Sequence, residues 1–475
     1  MTSTERRGHT GEGLVRGLGS FDATMLVIGI VIGSGIFLTT GLIARDLPSP
    51  ALILTVWLLG GLLSLAGCLT FAELGAAWPR SGGLYVYLRE AYGPLTGFLF
   101  GWLTFLVYQT GALAAVAVGF AEYLSYFVPA LGTQRIVTSI EVGGFVLSVS
   151  AGQLAACVAI LVLTALNVQG LRTGTVVQNG LTILKLLILG VFAILGLWVA
   201  LPAETSMAAA PTPLPAPPDA WIPAIGVGLV AVLWTFDGWN NLTFAAGEVR
   251  NPAKSLPVAM IGGILVVTVI YLLVNAAYLR ALPIDQMSGE LRVAGKAAAV
   301  LFGPSATAFI SAAVIVSTLG AANGVVLTGA RVYFAMARDG LFFRAAARVH
   351  DRHRTPHVAL WAQGIWACVL ALSGRYDQLF TYATFAALLI YLAAGASVFT
   401  LRVKRPDVPR PYRVPGYPIV PGLFLLAVAF LLVNTVLERP IEALAGLGFL
   451  VLGLPVYAYW RRRAASGGTP ADSGS

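Results

Sequence analysis

Charge is what this sequence has least of. Only 11% of its 475 residues are charged, against about 25% in an average soluble protein. With 57% hydrophobic residues and a mean hydropathy of +0.82, it leaves no room for a large soluble domain. Cysteine is nearly as scarce. Cys68, Cys157 and Cys368 all fall inside apolar runs, so neither a disulfide framework nor a thiolate metal motif is available. The four histidines (His9, His350, His353 and His357) lie in the N-terminal tail or in or beside one loop, which argues against a histidine proton relay in the membrane. No His/Asp/Glu cluster converges within the apolar runs, so neither a membrane-embedded enzyme nor a cofactor or metal is expected. Residues Met1 to Arg16 lack a cleavable leader pattern, and the first span is expected to serve as its own insertion signal.

What is present is an all-α polytopic pattern. Twelve apolar runs cover about 18–43, 50–78, 93–128, 151–168, 176–201, 221–248, 257–280, 302–335, 357–373, 377–402, 418–436 and 440–460. Each can cross a bilayer, and an even number places both termini on one side. With the termini cytoplasmic, 22 of the 30 basic residues fall on the cytoplasmic side, seven outside, and Lys185 within a span. That asymmetry predicts a multi-pass inner-membrane protein with cytoplasmic ends. It also assigns the net charge of +9 to topology; nucleic acid is not an expected partner. The loop at 129–150 suits a short amphipathic or extended piece. The loop at 202–220 is proline-rich, and 281–301 suits a helical lid.

The first run is interrupted at Val31-Ile32-Gly33-Ser34-Gly35-Ile36. Glycine costs about 1 kcal/mol relative to alanine in a helix interior, so Gly-Ser-Gly invites the helix to open. Open backbone at membrane depth is tolerated only where it is buried in protein or lines a wet cavity. Alone, the stretch reads equally as a binding site or as close helix packing. A second break follows five spans later, at Trp234-Thr235-Phe236-Asp237-Gly238 and on to Asn241. Paired interruptions at corresponding places in two halves point to an inverted-repeat transporter. Residues 18–201 are then the first repeat and 221–402 the second. Residues 418–460 are accessory, and 1–17 and 461–475 are cytoplasmic tails, the latter disordered.

The half-helix starting near Ser34 and Gly35 offers free N–H groups and a positive dipole end, which suit a carboxylate. Carbonyls near Val31 and Ile32, and near Trp234 to Phe236, suit an ammonium. Together they describe the α-carbon end of an amino acid, met without a charged side chain.

The sequence resembles the amino acid–polyamine–organocation superfamily. The resemblance rests on Ile32-Gly-Ser-Gly-Ile-Phe37, Asp237-Gly-Trp-Asn240, Glu248-Val-Arg-Asn-Pro-Ala-Lys-Ser-Leu-Pro257, Arg331-Val-Tyr-Phe-Ala-Met-Ala-Arg-Asp-Gly340 and Arg410-Pro-Tyr-Arg-Val-Pro-Gly-Tyr-Pro418. It implies a LeuT-like fold: twelve transmembrane helices, a 5+5 inverted repeat with spans 1 and 6 broken, and two accessory helices. Gln178-Asn-Gly-Leu-Thr-Ile-Leu-Lys185 resembles span 5 of the L-amino-acid transporter branch, where the lysine takes the place of a sodium ion. The resemblance therefore implies sodium-independent exchange of neutral L-amino acids. Two departures stand out. Residues 129–150 hold no cysteine, so no disulfide-linked heavy chain is expected. The aromatic gate position, often Phe in that branch, is Trp234 and favours small or medium substrates.

Lys185 lies ten residues after Thr175, too deep to snorkel easily. It is expected to reach the carbonyls of span 1 or, if neutral, to carry protons. Asp237 is expected as the cap of the second half-helix rather than as an amine ligand. Asn323 either faces the pocket or makes an interhelical hydrogen bond; Tyr108 and Gln109 share that standing. Glu73 and Glu122 are expected in polar packing, and Arg338-Asp339-Gly340 in salt bridges. Competing functions are proton-coupled uptake, cationic amino acid or polyamine transport, and a non-transporting membrane sensor of amino acids.

Overall fold

The computed structural model describes residues 13–142, 145–199, 221–290, 292–373, 376–438 and 440–466. The expectations for the first twelve residues, for the proline-rich loop and for the end of the C-terminal tail lie outside them. A helix lies over each of the twelve apolar runs. The first run is split into α1 (Ser20–Val31) and α2 (Gly35–Asp46), followed by α3 (Pro50–Ala77) and a short interfacial α4 (Leu84–Tyr92). The third run holds α5 (Pro94–Leu103), a π-helical turn at Thr104–Tyr108, and α6 (Gln109–Leu124). Then come α7 (Ala151–Val168) and α8 (Leu171–Trp198).

The sixth run is split into α9 (Trp221–Phe236) and α10 (Asn241–Phe244), and α11 (Pro252–Ala281) follows. Two short helices, α12 (Ile284–Met287) and α13 (Val293–Phe302), precede the 33-residue α14 (Ala306–Arg338). The last four are α15 (His357–Ser373), α16 (Tyr376–Lys404), α17 (Ile419–Glu438) and α18 (Pro440–Ser466). Among the described residues, ten helical stretches are long and apolar enough to cross a membrane, counting α1 with α2 and α5 through α6 as one each. The chain is a polytopic helical membrane protein.

Spans are buried according to their place in the bundle. The broken first span is almost wholly enclosed by other helices, whereas α18 turns most of its apolar surface outward. Helices α8, α11 and α14 pack around α1, and α2 packs against α9. Segment 129–150 takes its extended alternative: an antiparallel hairpin of β1 (Ile136–Val142) and β2 (Phe145–Ser150). Its β-branched run Ile136-Val137-Thr138 favours that outcome. In segment 281–301 the helices α12 and α13 pack against α2, and Gly289 N donates to Gly41 O at 2.9 Å.

One boundary needs correction. Residues 461–466 continue α18 as helix, because Arg461 to Ala465 hold no helix breaker. Ahead of α1, Leu14 and Leu18 are fully buried. Leu18 pairs in parallel with Val249: its N–H donates to Glu248 O at 3.0 Å and its carbonyl accepts from Arg250 N at 2.8 Å.

Candidate functional site

The two breaks face each other. Gly35 opens α2 directly against Thr235 of α9, and a Cβ at Gly35 would stand 2.8 Å from Thr235 Cγ2. Gly238 has φ +104°, a conformation that L side chains rarely adopt, and lies against Ile30. Tyr271 of α11 joins the two: its hydroxyl reaches Val31 O at 2.9 Å and Thr235 O at 3.1 Å. The amide of Gly35, which opens α2, has no intrahelical acceptor and lies at the same point, whereas Phe37 N donates to Ser34 O at 3.1 Å.

Lys185 on α8 is buried and directs its ammonium at the first break. It donates to Gly29 O (2.9 Å), Ile32 O (2.7 Å) and Ser317 O of α14 (2.9 Å). Three donors meet three acceptors, which is the full capacity of an ammonium. Gly320, one turn along α14, makes room: a Cβ there would stand 3.0 Å from Lys185 Nζ. Ser317 Oγ lies 3.0 Å from Ile32 O and 3.1 Å from Gly33 O. These bonds alter the expected role of the span 1 carbonyls. Val31 O already accepts from Gly33 N and Tyr271, and Ile32 O from Lys185 and Ser317. Both oxygens have their two lone pairs in use, so the carbonyls expected to hold an ammonium are held from within.

A cavity of about 40 Å³ lies where the breaks meet. Val31, Gly33, Ser34, Gly35, Trp234, Thr235, Asp237 and Gly238 all line it. Ile32, Ile36 and Phe236 do not: they are fully buried behind it, and Phe236 packs on Trp57 and Tyr271.

Asn323 also stands elsewhere. It accepts from Asn167 at 2.8 Å and donates to Gln178 at 2.9 Å and to Gly174 O at 3.2 Å, tying α7, α8 and α14 together. Ala321 and Val325 carry the cavity face of α14. A residue two positions from each is turned by about 200°, so Asn323 looks away. Asp237 is no cap either. Helix α10 begins at Asn241 with Asn240 at its cap position, and the Asp237 carboxylate accepts instead from Tyr108 (3.2 Å) and from Tyr391 of α16.

Sequence reasoning missed Asn241 and Tyr391. Asn241 is the second of two adjacent amides in the second break, and that pairing is the signal that marks it. Tyr391 sat in an unbroken apolar run with nothing to mark it.

Ion pairs close the faces. On the side of the termini, Asp339 pairs with Arg89 and accepts from Tyr85 at 2.7 Å. Burial, then the Asp339 charge, push the Tyr85 phenol up, so it stays a donor. Glu248 holds Arg331 through two bonds, 2.6 and 3.1 Å, both residues being fully buried. Glu73 takes Arg402 at 2.6 Å and Arg410 at 3.5 Å. The Arg/Pro run 402–418 thus supplies both partners of Glu73. On the opposite face Glu122 binds Arg292 at 2.7 Å.

Comparison with known proteins agrees with this architecture. The chain matches the amino acid permease family over residues 18–444. It is 34% identical to the serine/threonine exchanger SteT of Bacillus subtilis (strain 168), across 96% of this chain and 99% of that one. It is 30% identical to the human b(0,+)-type amino acid transporter 1, across 94% and 88%. It is 31% identical to the human large neutral amino acids transporter small subunit 2, across 96% and 83%. With two facing helix breaks, a cavity between them and a match along nearly its whole length, the chain belongs to the amino acid permease family, within the amino acid–polyamine–organocation superfamily.

Proposed function

We propose that the chain is a secondary transporter, not an enzyme, that exchanges neutral L-amino acids by alternating access and without sodium. The observation that carries this is the Lys185 ammonium, bound to Gly29, Ile32 and Ser317 carbonyls beside the cavity. A fixed cation there does what a bound sodium ion would do, holding opened backbone in shape. The substrate carboxylate meets the amides that open α2 at Gly35; Trp234 bounds the side-chain end. The three relatives named above are transporters or exchangers by name, which supports the same reading.

In this reading spans 1–5 and 6–10 form the inverted repeats, spans 11 and 12 are accessory, and both termini face the cytoplasm from the inner membrane. The carrier works without a disulfide-linked heavy chain.

Proteoliposomes test it. Uptake of labelled amino acid that requires internal amino acid, and is indifferent to sodium and to a pH gradient, is the expected result. Uptake driven by a pH gradient into empty vesicles would overturn exchange in favour of proton coupling. Asp237 is the observation on the side of that rival, since its half-buried carboxylate lines the cavity with tyrosines for partners.

A further inference from the structure

Past the two breaks, the cavity has a polar corner that the α-carbon end of a substrate does not use. Thr235 Oγ1 is already engaged with Thr39 and Ala231, and Asp237 with two tyrosines. Gln109 and Asn241 differ. Each is 1% exposed and each lines the cavity. Their amides meet through one long bond, Asn241 Nδ2 to Gln109 Oε1 at 3.4 Å. Gln109 Nε2 and Asn241 Oδ1 have no hydrogen-bond partner among the described residues. Buried amide groups left this way cost stability, and most buried polar groups in native proteins are satisfied.

The arrangement does not depend on how the amides are oriented. Turning both over exchanges donor and acceptor between the two residues and still leaves one nitrogen and one oxygen unused. The chain bends to put Gln109 there. It directly follows the π-helical turn Thr104–Tyr108, where Thr110 Oγ1 bonds back to Phe105 O at 2.6 Å. Such turns re-aim the residues after them and often sit at functional sites.

A side chain reaching this corner must be short. The cavity of about 40 Å³ has room for roughly three or four waters, and Ala112, Val116, Trp234 and Val325 wall it with apolar surface. The group that fits one unused donor and one unused acceptor is a hydroxyl, which gives one hydrogen and accepts another. We propose that Gln109 and Asn241 form the specificity pair for the side-chain hydroxyl of a small L-amino acid, of the serine or threonine kind. The inference rests on the exchange reading and names its substrate class.

The test uses isosteres. Threonine and valine share a shape and differ by the hydroxyl, as do serine and 2-aminobutyrate. Exchange of labelled L-threonine is measured in proteoliposomes loaded with unlabelled threonine, with each compound as competitor. Threonine is expected to compete at concentrations about tenfold or more below valine, because valine leaves both amide groups buried without partners. In Gln109→Leu and in Asn241→Leu that ratio should fall towards one. Thermal stabilisation of the purified wild-type protein by threonine against valine reads the same preference without a variant. Equal potency of threonine and valine, a ratio that survives both substitutions, or asparagine outcompeting threonine would each overturn the proposal. If neutral amino acids exchange without hydroxyl preference, only this inference fails. If none exchanges, the transport reading itself fails.

Discussion

Replacing Lys185 with methionine keeps the length of the stem and removes the three donors. The ammonium's bonds to Gly29, Ile32 and Ser317 carbonyls are charge-assisted, at about 1.5–3 kcal/mol each. Against them stands the cost of holding a cation at membrane depth, about 2.5–3.5 kcal/mol, which the variant no longer incurs. The net loss is about 1–6 kcal/mol, and it falls on one place. The amide of Gly33, the regular i+4 partner of Gly29 O, donates to Val31 O instead, so Gly29 O is left bare. Ile32 O keeps Ser317. Taking the lower figure and about 1.4 kcal/mol per decade, exchange by Lys185→Met should fall roughly fivefold or more in loaded proteoliposomes. Lys185→Arg should fail too. It preserves the charge, but the contact with Gly320 leaves no space for a guanidinium. Exchange near the wild-type rate in Lys185→Met, at equal protein per vesicle, would refute the role given to this cation.

Gly35→Ala should abolish exchange by pushing the breaks apart, and Thr235→Ala in the same chain should restore part of it; a double-mutant cycle on exchange rates measures the coupling. Glu248→Gln should lower stability by about 3–5 kcal/mol, because it strands the buried Arg331, and thermal unfolding in detergent reads this. Glu248→Leu combined with Arg331→Met should be much milder than either single change in the same assay. Asn323→Ala should destabilise by about 1–3 kcal/mol yet leave the apparent substrate affinity within about twofold, since its bonds run to α7 and α8 rather than to the cavity. Measuring both stability and half-saturation separates the two.

The polytopic helical architecture was legible because apolar runs of membrane length announce themselves. Both breaks were legible because Gly33-Ser34-Gly35 and Asp237-Gly238 oppose helix in otherwise helical runs. What lay hidden depends on contacts distant in sequence. Asp237 finds Tyr108 and Tyr391, where local sequence offers only a helix cap. Asn323 sits in a helix buried on nearly every side, so periodicity could not tell its cavity face from its packing face. The hairpin at Ile136–Ser150 was half visible in its β-branched residues, while the π-helical turn at Thr104–Tyr108 has no sequence signature. The carbonyls of Val31 and Ile32 looked free because their donors, Tyr271, Lys185 and Ser317, come from three other helices.

The parallel pairing of Leu18 with Val249 has a mechanical consequence. It clamps the strand leading into α1 to the strand leaving α10 through two backbone bonds, and backbone bonds leave no slack of the kind a long side chain provides. One half of each broken span is thereby yoked to the other, and the Glu248–Arg331 pair extends the yoke to α14. A load applied to either half-helix is delivered to both, so on this face the two breaks swing as one lever. Cutting the chain between Leu18 and Ser20 would uncouple that lever while leaving every cavity-lining residue in place.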